Sequence, residues 1–274
     1  MNTQKFIFLD IDGTLLDYTQ NLPPSSLEAI RLAQARGHKL LIATGRSRPA
    51  IYPWLRELDF DGIISGDGAF AEFGGKIVLE NPIPEAQISR LHQYLEDQKI
   101  GLCEECNSGL YGNRYLLSST SQTFGITLEE AQKDLLSIYP GLTLDHQHYH
   151  LDVNKVSFVP PAEPRNSALE EIFGDFFRIT TWTLLDRAYQ FGDFTQKNQS
   201  KASAVAALIK SLGIDREDTI ALGDAGNDME LLQYCHIGIA MGNATDSLKA
   251  IADHITSDVT DHGVYNAFKH YGLI

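Results

Sequence analysis

Cysteine is scarce in this 274-residue chain: Cys103, Cys106 and Cys235 are all it has. An odd set of three builds no disulfide framework. With no second pair nearby, Cys103 and Cys106 read as ordinary cysteines rather than a zinc or redox motif. Cationic residues are also few. Lys and Arg number 22 against 36 Asp and Glu, a formal net charge of −14. That balance excludes a general nucleic-acid or anionic-membrane binder, although local charge can still oppose the global sign and hold a small anion. No segment approaches the roughly 20 apolar residues of a membrane span, and no basic leader with a cleavage site is found. The expectation is a soluble, cytoplasmic protein. Internal repeats and low-complexity tracts are missing too.

What is present is a core. Hydrophobic residues make up 43% of the chain, enough for one large domain or two modest ones. Both ends alternate strand and helix signals. "FIFLD" at 6–10 reads as a strand. "PPSSLEAIRLAQARG" at 23–37 reads as a helix, with Ser25 and Glu28 at capping-box spacing and Gly37 at its stop. "HKLLIATGR" and "FDGIISGDGAF" follow as strands around a helix in "PAIYPWLREL", and Gly74-Gly75 marks a hairpin. After residue 199 come "SKASAVAALIKSLG" (helix), "DTIALGD" (strand), "NDMELLQYC" (helix) and "IGIAM" (strand). Apolar runs of this kind between helices point to a parallel sheet covered on both faces.

From Pro82 and Pro84 onwards the pattern changes. A helix is expected near 84–98, strands near 100–106 and 110–117, a helix near 127–138 and a strand near 149–159. After Pro160, Pro161 and Pro164 come a helix near 165–176 and a strand near 177–184. The expected fold is therefore α/β: a doubly wound parallel-sheet (Rossmann-like) core from residues 1–82 and 188–274, with an α+β domain inserted at 83–187.

Ligands of open parallel sheets sit beyond the carboxyl ends of the strands. Those ends hold Asp10 and Asp12, then Thr44-Gly45-Arg46, then Gly223-Asp224-Ala225-Gly226-Asn227-Asp228, with Lys201 and the neighbourhood of Asp193 between. Four carboxylates, one hydroxyl and one ammonium would share a face. Such carboxylates repel one another, and a divalent cation is the simplest remedy. Oxygen ligands without nearby His or Cys favour Mg²⁺ over Zn²⁺.

"DIDGTLL", "ATGR", the later Lys201 and "GDAGND", in that order, resemble the four motifs of the haloacid dehalogenase (HAD) superfamily of phosphohydrolases. The domain inserted between the second and third motifs is similar to the cap of the Cof-type subfamily, whose members act on sugar phosphates and other small monoesters. The resemblance covers the whole chain. It implies that Asp10 is the nucleophile, forming an aspartyl-phosphate, and that Asp12 is the general acid and then the base. It further implies that Lys201 neutralises charge on the nucleophile and phosphoryl group, and that Thr44, Gly45, Arg46 and Asn227 contact substrate. Asp224 would ligate Mg²⁺ with Asp10 and the backbone carbonyl of Asp12, supported by Asp228 directly or through water. Arg46 reads equally well as a structural ion-pairing residue.

Two departures stand out. "DFTQKNQSK" places Asp193 and Asn198 where many relatives have Glu and Gly, and Asp67 stands where Asn is common. The partner implied is a small phosphorylated metabolite, with no nucleic acid and no membrane; the oligomeric state is left open. Residues selecting the substrate are expected on loops near 105–115, 145–155 and 184–190. Alternatives to a phosphatase are a phosphomutase and a phosphate- or metal-binding regulator without turnover. "DHQHYHLD" sets His146, His148 and His150 at alternating positions. On one strand face they could hold a transition metal, although an exposed strand is the plainer reading.

Overall fold

In the computed structural model, which describes residues 4–146, 148–161, 165–184 and 189–274, the chain divides into two compact units. The first comprises residues 1–45, 57–80 and 200–274, and the second 46–56 and 81–199.

The first unit carries one eight-stranded sheet. Its strands are β1 (Phe6–Leu9), β2 (Lys39–Ala43), β3 (Gly62–Ser65), β4 (Phe70–Phe73) and β5 (Lys76–Glu80), then β12 (Thr219–Gly223), β13 (Ile237–Ala240) and β14 (His254–Ile255). The order is β14-β13-β12-β1-β2-β3-β4-β5. Pairings from β14 through β3 are parallel; β3, β4 and β5 continue antiparallel. Central strands are apolar on both faces: Ile7, Phe8 and Leu9, and Leu40 through Ala43, are all fully buried. That burial is why they read as continuous hydrophobic runs rather than alternating ones. The chain winds outward from β1 in one direction through β2 and β3, and from β12 in the other through β13 and β14. The carboxyl ends of β1 and β12 therefore flank the point where strand order reverses, where doubly wound sheets open a crevice.

Helices of this unit are α1 (Pro24–Ala35), α7 (Lys201–Leu212), α8 (Met229–Tyr234), α9 (Asp246–Lys249) and α10 (Gly263–His270). The capping box expected from Ser25 and Glu28 does not form. α1 starts at Pro24 with Pro23 before it and no side-chain capping bond; two prolines with φ preset for helix entry put Ser25 inside the first turn.

The second unit holds a six-stranded sheet: β6 (Leu102–Cys106), β7 (Leu110–Asn113), β8 (Thr143–His146), β9 (Val153–Phe158), β10 (Phe177–Leu184) and β11 (Tyr189–Gln196), ordered β10-β11-β9-β6-β7-β8. With it go α2 (Pro53–Arg56), α3 (Glu85–Asp97), α4 (Leu116–Phe124), α5 (Leu128–Ile138) and α6 (Arg165–Phe173). One apolar cluster joins α3 and α6 to β6, β9, β10 and β11 through Leu91, Leu102, Phe158, Phe173, Phe177 and Phe194. A second gathers Leu116, Leu135, Tyr139 and Phe191.

Residues 46–56, expected in the core, group with the second unit, and the C-terminal boundary moves because of β11. This strand pairs with β10 from Tyr189 to Gln196 and with β9 from Gly192 to Phe194, so the second unit runs to Gln199 rather than ending at 187. α4 takes over Leu116 and Leu117, the tail of the strand expected near 110–117. Asn113 ends β7 by accepting the Leu102 and Tyr115 N–H groups on its Oδ1. Strand β8 stops at His146, and Asp145 has φ +60°, so His146, His148 and His150 do not share a strand face. Of the expected substrate-selecting loops, 185–188 lies outside the described residues.

Candidate active site

Strand β1 delivers Asp10 at its end, and the chain turns at once. Gly13 N–H donates to Leu16 O and Leu16 N–H to Ile11 O, a doubling-back that leaves Asp12 exposed while Asp10 is 6% exposed. Gly13 has φ +87°, and a Cβ there would sit 2.2 Å from Asp224 Oδ2. Only glycine fits both the backbone angle and the approach. The two acids of "DID" are thus unequal by construction, one buried and one facing solvent.

Lys201 is the first residue of α7, behind the cap residue Ser200, whose hydroxyl accepts the Ser203 N–H. A cation is disfavoured at a helix N-terminus, yet the Lys201 side chain is fully buried. Its ammonium lies 2.6 Å from Asp10 Oδ1 and 2.7 Å from Asp228 Oδ1. Burial works against that charge, but Asp10 and Asp228 outweigh it and hold the ammonium above its ordinary value. Asp228 is fully engaged, since its Oδ2 accepts the N–H groups of Asp224 and Ala225 at 3.1 Å each.

Asp224 ends β12. Its carboxylate accepts from the Thr14 hydroxyl at 3.2 Å and from the Tyr18 hydroxyl at 3.3 Å. Asn243 fixes the turn opposite, donating to Gly13 O at 2.8 Å and to the Tyr18 oxygen at 3.1 Å. Burial, and next Asp228, push the Asp224 carboxyl up to about 7 despite Lys201. Asp10 is likewise pushed well above the carboxylate range, by burial and against the pull of Lys201, with Asp228, Asp224 and Asp12 adding to the push. Carboxylate oxygens of Asp10, Asp224 and Asp228 lie within 4.8 Å of one another. This is an oxygen-only donor set carrying more negative charge than one lysine offsets, and it fits a hard divalent cation.

The remaining candidates divide. Thr44 is buried at the end of β2, its N–H on Ile64 O and its carbonyl accepting the Asp67 N–H. Gly45 leaves room for Asn227, whose Nδ2 donates to Asp67 Oδ1 at 3.1 Å; a Cβ at Gly45 would lie 3.0 Å from both. Asp67 has φ +51°, a conformation that Asn and Asp tolerate better than most residues. Arg46 falls in the second unit, where its guanidinium donates to the Tyr52 hydroxyl at 2.8 Å and to Ile138 O at 3.3 Å and lies over the Tyr52 ring. Asp193 is not among the strand-end acids. It sits in β11, with its carboxylate 3.0 Å from Lys155 and 2.6 Å from the Ser157 hydroxyl. Tyr18 and Asn243 touch the site without standing in any of the four motifs. Asn243 follows β13 in "MGNATD", a strand-end position that the same crevice rule could have flagged.

The chain is also similar to known proteins. Residues 7–268 match the family of haloacid dehalogenase-like hydrolases. A putative phosphatase of Bacillus subtilis, YkrA, is 30% identical, with 98% of each chain covered. The pyridoxal phosphate phosphatase YbhA of Escherichia coli is 28% identical, with 96% of each covered. Among solved structures, a sugar phosphatase of HAD subclass IIB superposes with a TM-score of 0.74 at 27% identity, over 99% of this chain and 100% of that one.

Proposed function

Because this chain belongs to the haloacid dehalogenase-like hydrolase family, we propose that it is a Mg²⁺-dependent phosphatase of small phosphorylated metabolites, sugar phosphates or similar monoesters, acting through an aspartyl-phosphate on Asp10. The first unit is the catalytic core, and the second is a Cof-type cap domain that selects the substrate. One observation carries the reading. Asp10 and Asp228 converge on the buried Lys201 ammonium, while Asp224 stands beside them in excess of that charge.

Asp10, Asp224 and the backbone carbonyl of Asp12 would hold the cation. Asp228, whose oxygens also reach Lys201 and two backbone N–H groups, supports that set directly or through water. The chemistry such an ion supplies is neutralisation of the phosphoryl oxygens and of the crowded carboxylates.

The chain's own groups do the rest. Lys201 pins Asp10 Oδ1, fixing the carboxylate's orientation for attack. The Asp10 carboxylate bonds to phosphorus as the ester oxygen departs, and that oxygen takes the proton of Asp12. Asp12, now ionised, accepts a proton from water, which attacks the phosphorus of the aspartyl-phosphate and releases phosphate and free Asp10. This division of labour matches the burial: the nucleophile is enclosed with a lysine, and the proton carrier is exposed where it can exchange. Thr44, Gly45 and Asn227 line the same strand ends and are assigned to the phosphate; Arg46 is assigned to the substrate.

The test is hydrolysis of p-nitrophenyl phosphate by the full chain. Activity that EDTA abolishes and Mg²⁺ restores is expected, and a chain inert with every divalent ion tried overturns the reading. A panel including pyridoxal phosphate and sugar phosphates, ranked by kcat/KM, then identifies the substrate class.

A further inference from the structure

The second unit holds another cluster of metal-ligating side chains, made from two sequence features that say little separately. Glu104 and Cys106 lie on β6 and are buried to 1% and 0% exposure. A register shift between Glu105 and Cys106 moves the pairing of β6 from Lys155 to Val153. His150 comes from the segment after β8. Its Nδ1 lies 3.0 Å from Glu104 Oε2, and its N–H donates to the same oxygen at 3.0 Å. The ligand atoms of Glu104, Cys106 and His150 all lie within 4.8 Å of one another.

Supporting residues surround the three. His92, on α3, meets the other oxygen of Glu104 at 2.8 Å, the outer contact that commonly orients a ligating carboxylate. The His150 ring is stacked at 3.8 Å on Tyr111 and at 4.5 Å on His146. His150 is partly exposed, with a side-chain accessibility of 21%, which gives an ion an entry path. Burial pushes the Cys106 thiol far above its ordinary value, so a thiolate at this position needs a cation beside it.

From this geometry we infer that Glu104, Cys106 and His150 form a binding site for a thiophilic divalent ion of the Zn²⁺ class, with His92 orienting Glu104 and water or His146 as the fourth ligand. Donors in a tetrahedral zinc site stand roughly 3.5 Å apart, given metal–ligand distances of about 2.0–2.3 Å, so modest side-chain rotation closes the set. Sulfur and imidazole distinguish it from the oxygen-only site of the first unit, and the two sites select different ions. On binding, the Cys106 thiol gives its proton to solvent, and the ion ties the His150 segment to β6. The inference does not depend on the phosphatase reading.

Co²⁺ titration of the full, metal-free chain tests it, because a Co²⁺–thiolate bond produces a near-ultraviolet charge-transfer band. The expected result is a band that saturates at one equivalent, is displaced by Zn²⁺, and persists in excess Mg²⁺ and in Asp224→Asn. Cys106→Ser abolishes it, and Cys235→Ser leaves it intact. If Cys106→Ser does not fold, His150→Gln carries the test and weakens Co²⁺ binding at least about tenfold. No band in the parent chain, or a band undiminished by Cys106→Ser or His150→Gln, overturns the assignment.

Discussion

Each unit buries one lysine between two carboxylates. In the first, Lys201 lies 2.6 Å from Asp10 and 2.7 Å from Asp228; in the second, Lys155 lies 3.0 Å from Asp193 and 3.3 Å from Glu105. The difference lies in what else the acids touch. Glu105 accepts from the Ser47 hydroxyl at 2.8 Å and shares the Ser157 hydroxyl with Asp193, at 2.6 Å from each. Neutral hydroxyls thus complete the second centre. The first has a third buried carboxylate, Asp224, and a fourth acid, Asp12, beside it. A lysine held by two acids is by itself a way of closing a polar core, and such pairs contribute little net stability while being costly to break. An unbalanced acid added to the same arrangement makes it a place for a cation and a phosphoryl group.

Asp10→Asn should break the comparison most severely. It removes the nucleophile while keeping the shape, so kcat on p-nitrophenyl phosphate falls by at least about 10³-fold, and steady-state assays read it. Lys201→Met should lower kcat by about 10²–10³-fold and also destabilise the fold, because two buried carboxylates lose their partner. The sharper experiment sets Lys155→Met beside it. Urea unfolding should show a loss of about 3–5 kcal/mol for breaking that buried pair, while the folded fraction turns over p-nitrophenyl phosphate at the parent rate. A folded but inactive Lys155→Met would erase the distinction between the two lysines.

A smaller effect comes from pH. Without metal, Asp224 titrates near 7 in the fold against an ordinary value of 3.8. Its contribution to stability is therefore intact below the unfolded value and lost as pH rises through the folded one. Mg²⁺ offsets that loss, so it should raise Tm more at about pH 8 than at about pH 5.5; equal gains would contradict the charge account. The smallest effect is Thr127→Ala, which deletes the capping box with Glu130 at the start of α5. It should cost about 1 kcal/mol in urea unfolding and leave turnover untouched.

The parts of the molecule that the sequence made legible are those built from local signals. Buried parallel strands read as apolar runs, and the acids of the first unit sit at their ends, so Asp10, Thr44 and Asp224 could be placed by position. The rest depended on pairings far apart in the chain. Glu105, Ser157 and Asp193 come together only because β6, β9 and β11 are neighbours; β11 itself, broken by Gly192 and polar residues, gave no clear strand pattern. Proximity in sequence points Asp193 toward Lys201, whereas its charge partner in the fold is Lys155. Likewise, Cys106 and His150 stand in separate short motifs, and only the fold brings them together with Glu104.

The most direct test of the central claim is rapid acid quench of the chain during turnover of p-nitrophenyl phosphate with Mg²⁺, followed by peptide mass spectrometry. The account predicts one phosphoryl group on the peptide carrying Asp10, at Asp10, and none in Asp10→Asn. A phosphoryl group on another residue, or turnover continuing in Asp10→Asn, would contradict it.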